Sequence, residues 1–552
     1  MNGGLLKNYH ANRVSPNPKD AMNHTGRLIL FFVITLMLFL SSLSVMSMLR
    51  FSHATAQEPP LVLAISGEPE SLDPHQKRVL WDQMIASQLF DTLMFLEKNM
   101  SVQPLLVESW SNPDPLTWIF HIRKNVTFHN GDTLTTNDII FTFNRIKNRY
   151  QEYAGVFTSI RQYSALDDYT LAIETYKPEA AMLPKMENIF IVPEKYMTTV
   201  GEEEFSRKPI GTGPYRFVSG DVKRGVTLEA NTEYWGGPPA LQDAVIKYIP
   251  IHEQYTALIQ GDADIVFNLT SDEFIRLGKN PDFNTVFVES NMFYYLGMDV
   301  QRKKTPNVDV PHNPFREHAV RLAIAKTIDL DDINRHVFNG YAFPATQIGH
   351  SGIFGYNPDI TRESVDLEEA KRLMQEAGYE DGFSVVLNTP LGTREHIASM
   401  IGEQLSHIHI DVTVEPIADK TFWQMIFEDE HEFSFFLAGW QTGHSMERNL
   451  NQLFATKSET RGRINFTKYS NPEVDHLISQ AMYASNEDDR LQYLQHANYV
   501  IMRDKPIIPL FATPTFYGMS KRVDWQPTVK VLIDLKHIKL VNQTHSWWDV
   551  FK

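Results

Sequence analysis

The chain of 552 residues is 43% hydrophobic, 12% aromatic and 21% charged, ordinary globular proportions that exclude collagen, coiled coil and long disorder. Its 51 Lys and Arg against 67 Asp and Glu give a formal net charge of −16, whereas a nucleic-acid partner would call for a basic footprint. Cysteine is absent, which excludes disulfides, thiolate catalysis, iron–sulfur clusters, Cys-based zinc sites and a lipid-modified N-terminal Cys.

Leu28 to Leu49 is a run of 22 residues without a charge, preceded by Lys7, Arg13, Lys19 and Arg27 and followed by Ala54-Thr-Ala56-Gln57. A basic segment, an apolar segment and an A-x-A end read as an export signal over 1–56. The alternative is an uncleaved anchor, because a run of that length can span a bilayer. No second run of comparable length follows, so the remainder is expected to be soluble. Cleavage would remove five of the 51 bases and one of the 67 acids, moving the net charge from −16 to −20. An exported, cysteine-free chain with a large core suits the bacterial periplasm.

Leu61–Ile65 is a short apolar run that fits a buried strand. Residues 80–96 have helical spacing at Met84, Ile85, Leu89, Leu93 and Leu96. Trp118–Ile122 alternates as a strand, Asn130-Gly131 is a turn signal, and Thr136-Asn137-Asp138 opens a helix with an apolar stretch from Ile139 to Ile146. Residues 169–173, 215–218, 226–229 and 244–249 are further strands punctuated by Gly and Pro. Beyond about residue 300 the helices lengthen. Asp366-x-x-Glu369 begins one that Gly378 ends, and 394–406 is another, set between strands Ser384–Asn388 and Ile408–Val414. Asn471-Pro472 and Asn486-Glu-Asp start two more, so strand–helix–strand units predict an α/β lobe.

Trp118-Ile-Phe-His-Ile-Arg-Lys-Asn-Val-Thr-Phe-His-Asn-Gly-Asp132, followed by Leu134-Thr-Thr-Asn-Asp138, resembles the signature stretch of the family 5 extracellular solute-binding proteins of ABC importers, the dipeptide- and oligopeptide-binding type. Glu70-Ser-Leu-Asp-Pro-His75, Gly211-Thr-Gly-Pro-Tyr215, Tyr234-Trp-Gly-Gly-Pro238 and Gly261-Asp-Ala-Asp-Ile265 agree in order. So do Pro314-Phe-Arg-Glu-His-Ala-Val-Arg-Leu-Ala323, Glu376-Ala-Gly-Tyr379, Ala438-Gly-Trp440, Tyr469-Ser-Asn-Pro-Glu-Val-Asp475 and Ile508-Pro-Leu510. The resemblance covers nearly all of 57–552 and implies an α/β, two-lobed periplasmic binding protein fold with a hinge and an extra subdomain in the N-terminal lobe. It places that lobe at 57–295, the second lobe at 296–511, and a segment returning to the first at 512–552. It also implies a monomer that binds a peptide or peptide-like solute, delivers it to permease subunits in the inner membrane, and uses no cofactor, resident metal or nucleic acid.

The resemblance puts Trp440 in the cleft, stacked on the ligand backbone, where its alternative is a half-buried core aromatic. Peptide binders of this family carry an Asp just after that Trp to pair with the ligand's α-ammonium. Here the position holds Gly443, and the nearest acid in the run is Glu447, so Glu447 or Asp73 would have to substitute. Arg394 lies where some members hold a ligand carboxylate, with a solvated helix start as its alternative. His444, four residues past Trp440, could meet a ligand, a haem iron or a chelated metal, or face water. His407-Ile-His409 shares strand-like i, i+2 spacing but sits at a helix-to-strand junction and reads as a surface turn. G-x-S-x-G, H-E-x-x-H and Walker A patterns are absent, and acid pairs such as Asp167-Asp168 and Asp331-Asp332 read as turns and helix starts. No catalytic residue is expected. A haem or metal-chelate receptor on the same fold is the alternative in this class, and an exported hydrolase or transpeptidase the alternative outside it.

Overall fold

The computed structural model describes residues 59–541 apart from 77–78, 98–100, 151–152, 429–430, 444, 485 and 530–531. The export signal therefore lies outside the described residues. Among the described residues no helix is long and apolar enough to cross a membrane.

One mixed sheet of eleven strands runs through the molecule. Its spine is two long antiparallel strands, Phe283–Met298 and Ile507–Ser520, paired from Phe283 opposite Ser520 to Gly297 opposite Ile507. Chain-distant segments thus lie side by side along the whole spine, and each end of it collects a different set of strands. At one end Ile265–Phe267 pairs with Tyr517–Met519, and Leu61–Ile65, Asp243–Tyr248, Gly225–Ala230 and Tyr215–Asp221 follow outward. At the other end Phe435–Gln441 pairs with Met292–Met298, and Phe383–Pro390 and Ile410–Ile417 follow. Between them the ladder breaks, with a register shift between Glu289 and Phe293, and Ser290 Oγ shares a hydrogen bond of 2.8 Å with Thr513 Oγ1. The result is the mixed α/β, two-lobed architecture expected from the sequence.

The apolar alternation of the strands explains the division. Leu61, Leu63, Val226, Leu228 and Ile246 enter one core with Met84, Ile85 and Leu89 of the helix Leu80–Leu89. Val385, Leu387 and Leu437 enter a separate core with Ile397, Ala398 and Ile401 of the helix Thr393–Leu405. Gly297 is required where the spine meets Phe436, because a Cβ there would lie 2.2 Å from the ring. A further sheet, Val107–Asp114, Thr117–Ile122, Thr170–Thr175 and Ile160–Asp167, packs on the helix Thr136–Arg149 around its own core, which contains Phe120, Phe143 and Leu171.

Local signals mark most boundaries. Thr135 and Asp138 form a capping box at the start of Thr136–Arg149. Asp366 accepts from Glu369 N–H at 3.0 Å at the start of Leu367–Glu376, and Gly378 follows with φ +78°. Asn471 and Asn486 cap Pro472–Met482 and Glu487–Asp504 in the same way. Two expectations are corrected. The helical spacing of 80–96 covers a helix only to Leu89, and Met94–Leu96 is instead a strand paired with Val102–Pro104. The cause is Asp91, whose carboxylate is gripped from outside the segment by Thr212, Tyr234 and Trp235. The strand expected from Ile408 begins at Ile410, because Ser406–Ile408 is a 3-10 turn and His409 takes φ +61°.

Candidate functional site

A cavity of about 1500 Å³ opens beside the break in the spine, walled on one side by residues between Leu80 and Tyr234 and on the other by residues between Phe427 and Arg490. Asn291, at the break in the spine, forms part of its floor. Thr442 N–H donates to Asn291 O at 2.8 Å, Asn291 Nδ2 donates to Thr442 O at 3.2 Å, and both residues line the cavity. Its mouth is aromatic. Tyr176 from the small four-stranded unit and Phe427 and Tyr483 from the opposite side are 65%, 56% and 45% exposed, and all three line it. The Lys177 ammonium stands 4.6 Å from the centre of the Tyr483 ring, a cation–π contact that spans the opening.

Trp440 closes the strand Phe435–Gln441 and lines the cavity while half-buried against the core of its own side. Its Nε1–H donates to Asn449 Oδ1 at 3.0 Å, and the Arg448 guanidinium lies 5.7 Å from its ring centre. The ring is therefore anchored at its edge and offers a face to the cavity. Gly443 also lines the wall. A Cβ there would meet Arg448 Nη1 at 3.6 Å, an ordinary contact, so the position has room for a side chain that would lie against a guanidinium.

Glu447 lines the cavity, but its carboxylate is engaged. Arg490, 2% exposed, donates to it from Nη2 at 2.9 Å and from Nε at 3.1 Å, and also reaches Ser445 Oγ at 3.0 Å. Asp73 is not among the lining residues. It is buried, paired with Arg145 at 2.5 Å, and accepts from His75 N–H at 3.1 Å. Arg394 is likewise away from the lining, paired with Asp419, with its guanidinium 5.6 Å from the Tyr294 ring centre. His444 lies outside the described residues. Of the residues singled out from sequence, Trp440, Gly443 and Glu447 come together on one wall, whereas Asp73 and Arg394 are held elsewhere by ion pairs.

Sequence reasoning missed most of the cavity's charge. Lys185 pairs with Glu179, and Lys536 with Asp534 at 3.3 Å. Asp91, buried but on the lining, accepts from Thr212 Oγ1, Tyr234 OH and Trp235 Nε1, each at 3.0 Å. Burial pushes its carboxyl up to about 6 even though these donors pull the other way. The lone signal available was the retained Gly211-Thr-Gly-Pro-Tyr215 and Tyr234-Trp235 segments, which supply these donors; nothing local to Lys177 or Arg463 marks them.

A sequence model of the bacterial extracellular solute-binding proteins, family 5 (its middle region), matches residues 101–461, well over half of the chain. The chain belongs to that family. Among curated relatives, the glutathione-binding protein GsiB of Pectobacterium atrosepticum is 27% identical over 478 residues, covering 84% of this chain and 90% of that one. Among solved structures, the periplasmic binding protein DppA of Helicobacter pylori, in complex with the peptide STSA, is 25% identical with a TM-score of 0.68, covering 87% of this chain and 98% of that one. HbpA2 of Haemophilus parasuis, 22% identical, has a TM-score of 0.77 and covers 88% and 100% of the two chains. This family consists of receptors that bind solutes, in line with the expectation of a non-enzyme.

Proposed function

We propose that the protein is the exported receptor of an ABC importer, working in the periplasm as a monomer after loss of residues 1–56. It binds a peptide or peptide-like solute in the cavity between 57–295 and 296–511, closes on it, and presents it to permease subunits in the inner membrane. The observation that carries this reading is the cavity itself: about 1500 Å³, beside Asn291 at the break in the spine and walled by residues of both 57–295 and 296–511. That volume exceeds the range of ordinary small-molecule pockets and suits a ligand of a few residues. Binding is then a matter of enclosure, with Trp440 as one apolar wall and Tyr176, Phe427 and Tyr483 as the rim. The hinge is the interrupted pairing at Ser290–Met292 against Ala512–Pro514, where rotation changes few hydrogen bonds.

Native mass spectrometry of protein purified without refolding tests the ligand class. The expected result is a non-covalent adduct that dissociates intact in the mass range of short peptides. An adduct with a porphyrin absorbance would establish the haem reading instead, and a solute cleaved during incubation would establish an enzyme.

A further inference from the structure

The peptide reading leaves open which ligand side chains the cavity recognises. One corner of its wall is built from two chain-distant pieces. Leu80, Gln83 and Ser87, at i, i+3 and i+7 on the helix Leu80–Leu89, present one face of that helix to the cavity. The adjoining face carries Met84 and Gln88 and holds the C-terminal segment. Gln88, 0% exposed, donates from Nε2 to Ile533 O at 2.9 Å and accepts from Leu535 N–H at 3.0 Å, and Ile533 N–H lies 3.1 Å from Met84 Sδ. Alternation then sorts the residues of that segment. Ile533 and Leu535 enter the core that contains Met84 and Leu89, whereas Leu532, Asp534 and Lys536 line the cavity.

The polar groups of this corner are engaged with one exception. Ser87 Oγ donates to Met84 O at 3.0 Å and accepts from Gln88 Nε2 at 2.8 Å. Asp534 and Lys536 pair at 3.3 Å, so the segment brings no net charge to the wall. Gln83 differs. It lines the cavity, yet its Nε2 is buried and has no hydrogen-bond partner among the described residues. An enclosed N–H without an acceptor is costly. The terminal amide torsion of Gln is soft, so an acceptor entering from the cavity can meet this donor with little rearrangement. Leu80 and Leu532 give the corner apolar flanks that suit the aliphatic stem of such a group. A carboxylate is the poorer fit, because it would lose water beside those flanks while the lysine of the segment already faces Asp534.

We propose that the corner between the helix Leu80–Leu89 and the segment Leu532–Lys536 is a subsite for a ligand side chain ending in a neutral carboxamide, and that Gln83 is the specificity-determining residue that receives its carbonyl. This rests on the peptide reading above. Calorimetric titration tests it with alanine tripeptides that carry Gln at each position in turn, against the same peptides carrying Met, which is similar in length but lacks the carbonyl. At one position the wild-type protein should bind the Gln peptide about threefold to tenfold more tightly, the worth of one net hydrogen bond. Gln83→Met should abolish that preference while the Met peptide binds as well as before or better. Its urea midpoint should not fall, because the amide end it removes has no partner to lose. Equal affinities at every position, or a preference that survives in Gln83→Met, would overturn the subsite and leave the peptide reading intact. A fall in both affinities together with the urea midpoint would overturn it too, showing that Gln83 only supports the helix. Tighter binding of the Glu peptide than of the Gln peptide, shrinking as salt is raised, would show instead that the corner reads charge. Binding of none of the tripeptides, with no peptide adduct in the native mass spectrum, would overturn both readings.

Discussion

The ion pair between Glu447 and Arg490 decides whether the cavity offers a carboxylate to its ligand, and its strength can be worked out from the geometry. Arg490 is 2% exposed, and its guanidinium also lies 4.6 Å from the centre of the Phe354 ring. Glu447→Ala removes two charge-assisted hydrogen bonds and leaves Ser445 Oγ as the remaining contact among those that hold this guanidinium. An unpaired buried charge costs about 3–5 kcal/mol, and the 17% exposure of the Glu447 side chain puts the expectation near the lower end, about 3 kcal/mol. Arg490→Met removes the charge, retains an unbranched side chain over Phe354, and leaves Glu447 reachable from the cavity, so it should cost less, about 1–2 kcal/mol. The double variant should cost little more than Arg490→Met alone, a coupling of nearly 3 kcal/mol, about the whole cost of Glu447→Ala, between residues in contact. Urea unfolding of the four proteins closes the cycle. If Glu447→Ala costs under about 1 kcal/mol and the two changes simply add, the carboxylate is not committed to Arg490 and stands open to the ligand. The freed carboxylate of Arg490→Met gives a second readout: peptides with a free amino end should gain affinity over their N-acetylated twins.

Trp440→Phe should keep the apolar wall but leave buried Asn449 without its donor, lowering stability by about 1–2 kcal/mol in urea unfolding. Trp440→Ala should weaken ligand binding by about 1–3 kcal/mol in calorimetry, and wild-type affinity in that variant would place the ring in the core alone. Gly443→Asp should fold normally, with a stability within about 0.5 kcal/mol of wild type in urea unfolding, because a side chain there meets Arg448 only at ordinary contact distance. His75, His129 and His431 are each held down to about 4, mainly by burial, so the unfolded chain takes up protons that the folded chain refuses between pH 6.5 and 4. Unfolding free energy measured in urea should therefore fall as pH drops through that window. Asp91, raised to about 6, should offset part of the loss, because its folded form gains a proton first.

Elements bounded by local chemistry were legible in the sequence. Asp366 with Gly378, Asn486 before three acids, and the alternation of Trp118–Ile122 each carry their own cause within a few residues. Elements set by distant partners were not. The helix from Leu80 stops where it does because Asp91 is claimed by donors more than a hundred positions away, and no window around residue 90 contains them. The same holds for the site. Trp440, Gly443 and Glu447 reach one wall because a strand and the helix after it keep them together. Asp73 and Arg394 carry the right chemistry, but their partners Arg145 and Asp419 come from other parts of the chain. Lys177 and Tyr483 are the converse: ordinary surface residues in sequence that meet across the mouth.

That contact bears on how the proposed closure could work. The spine strands pair on both sides of the break at Ser290–Met292, so neither strand can slide without losing a ladder of hydrogen bonds, and the available motion is rotation about the short unpaired stretch. Rotation moves the mouth far more than the floor, where Asn291 and Thr442 stay joined. The Lys177–Tyr483 contact is thus the place where opening is felt first. A cation–π contact at an exposed site contributes about 0.5–1 kcal/mol, enough to bias the two forms by a few-fold and too little to lock them. Lys177→Gln should consequently shift the unliganded protein toward the open form, raising its radius of gyration in small-angle scattering. Excess ligand should return it to the compact value, because enclosure by both walls outweighs one rim contact. A radius unchanged by the substitution, with and without ligand, would mean that the rim does not report on closure and that the floor alone sets the angle between the lobes.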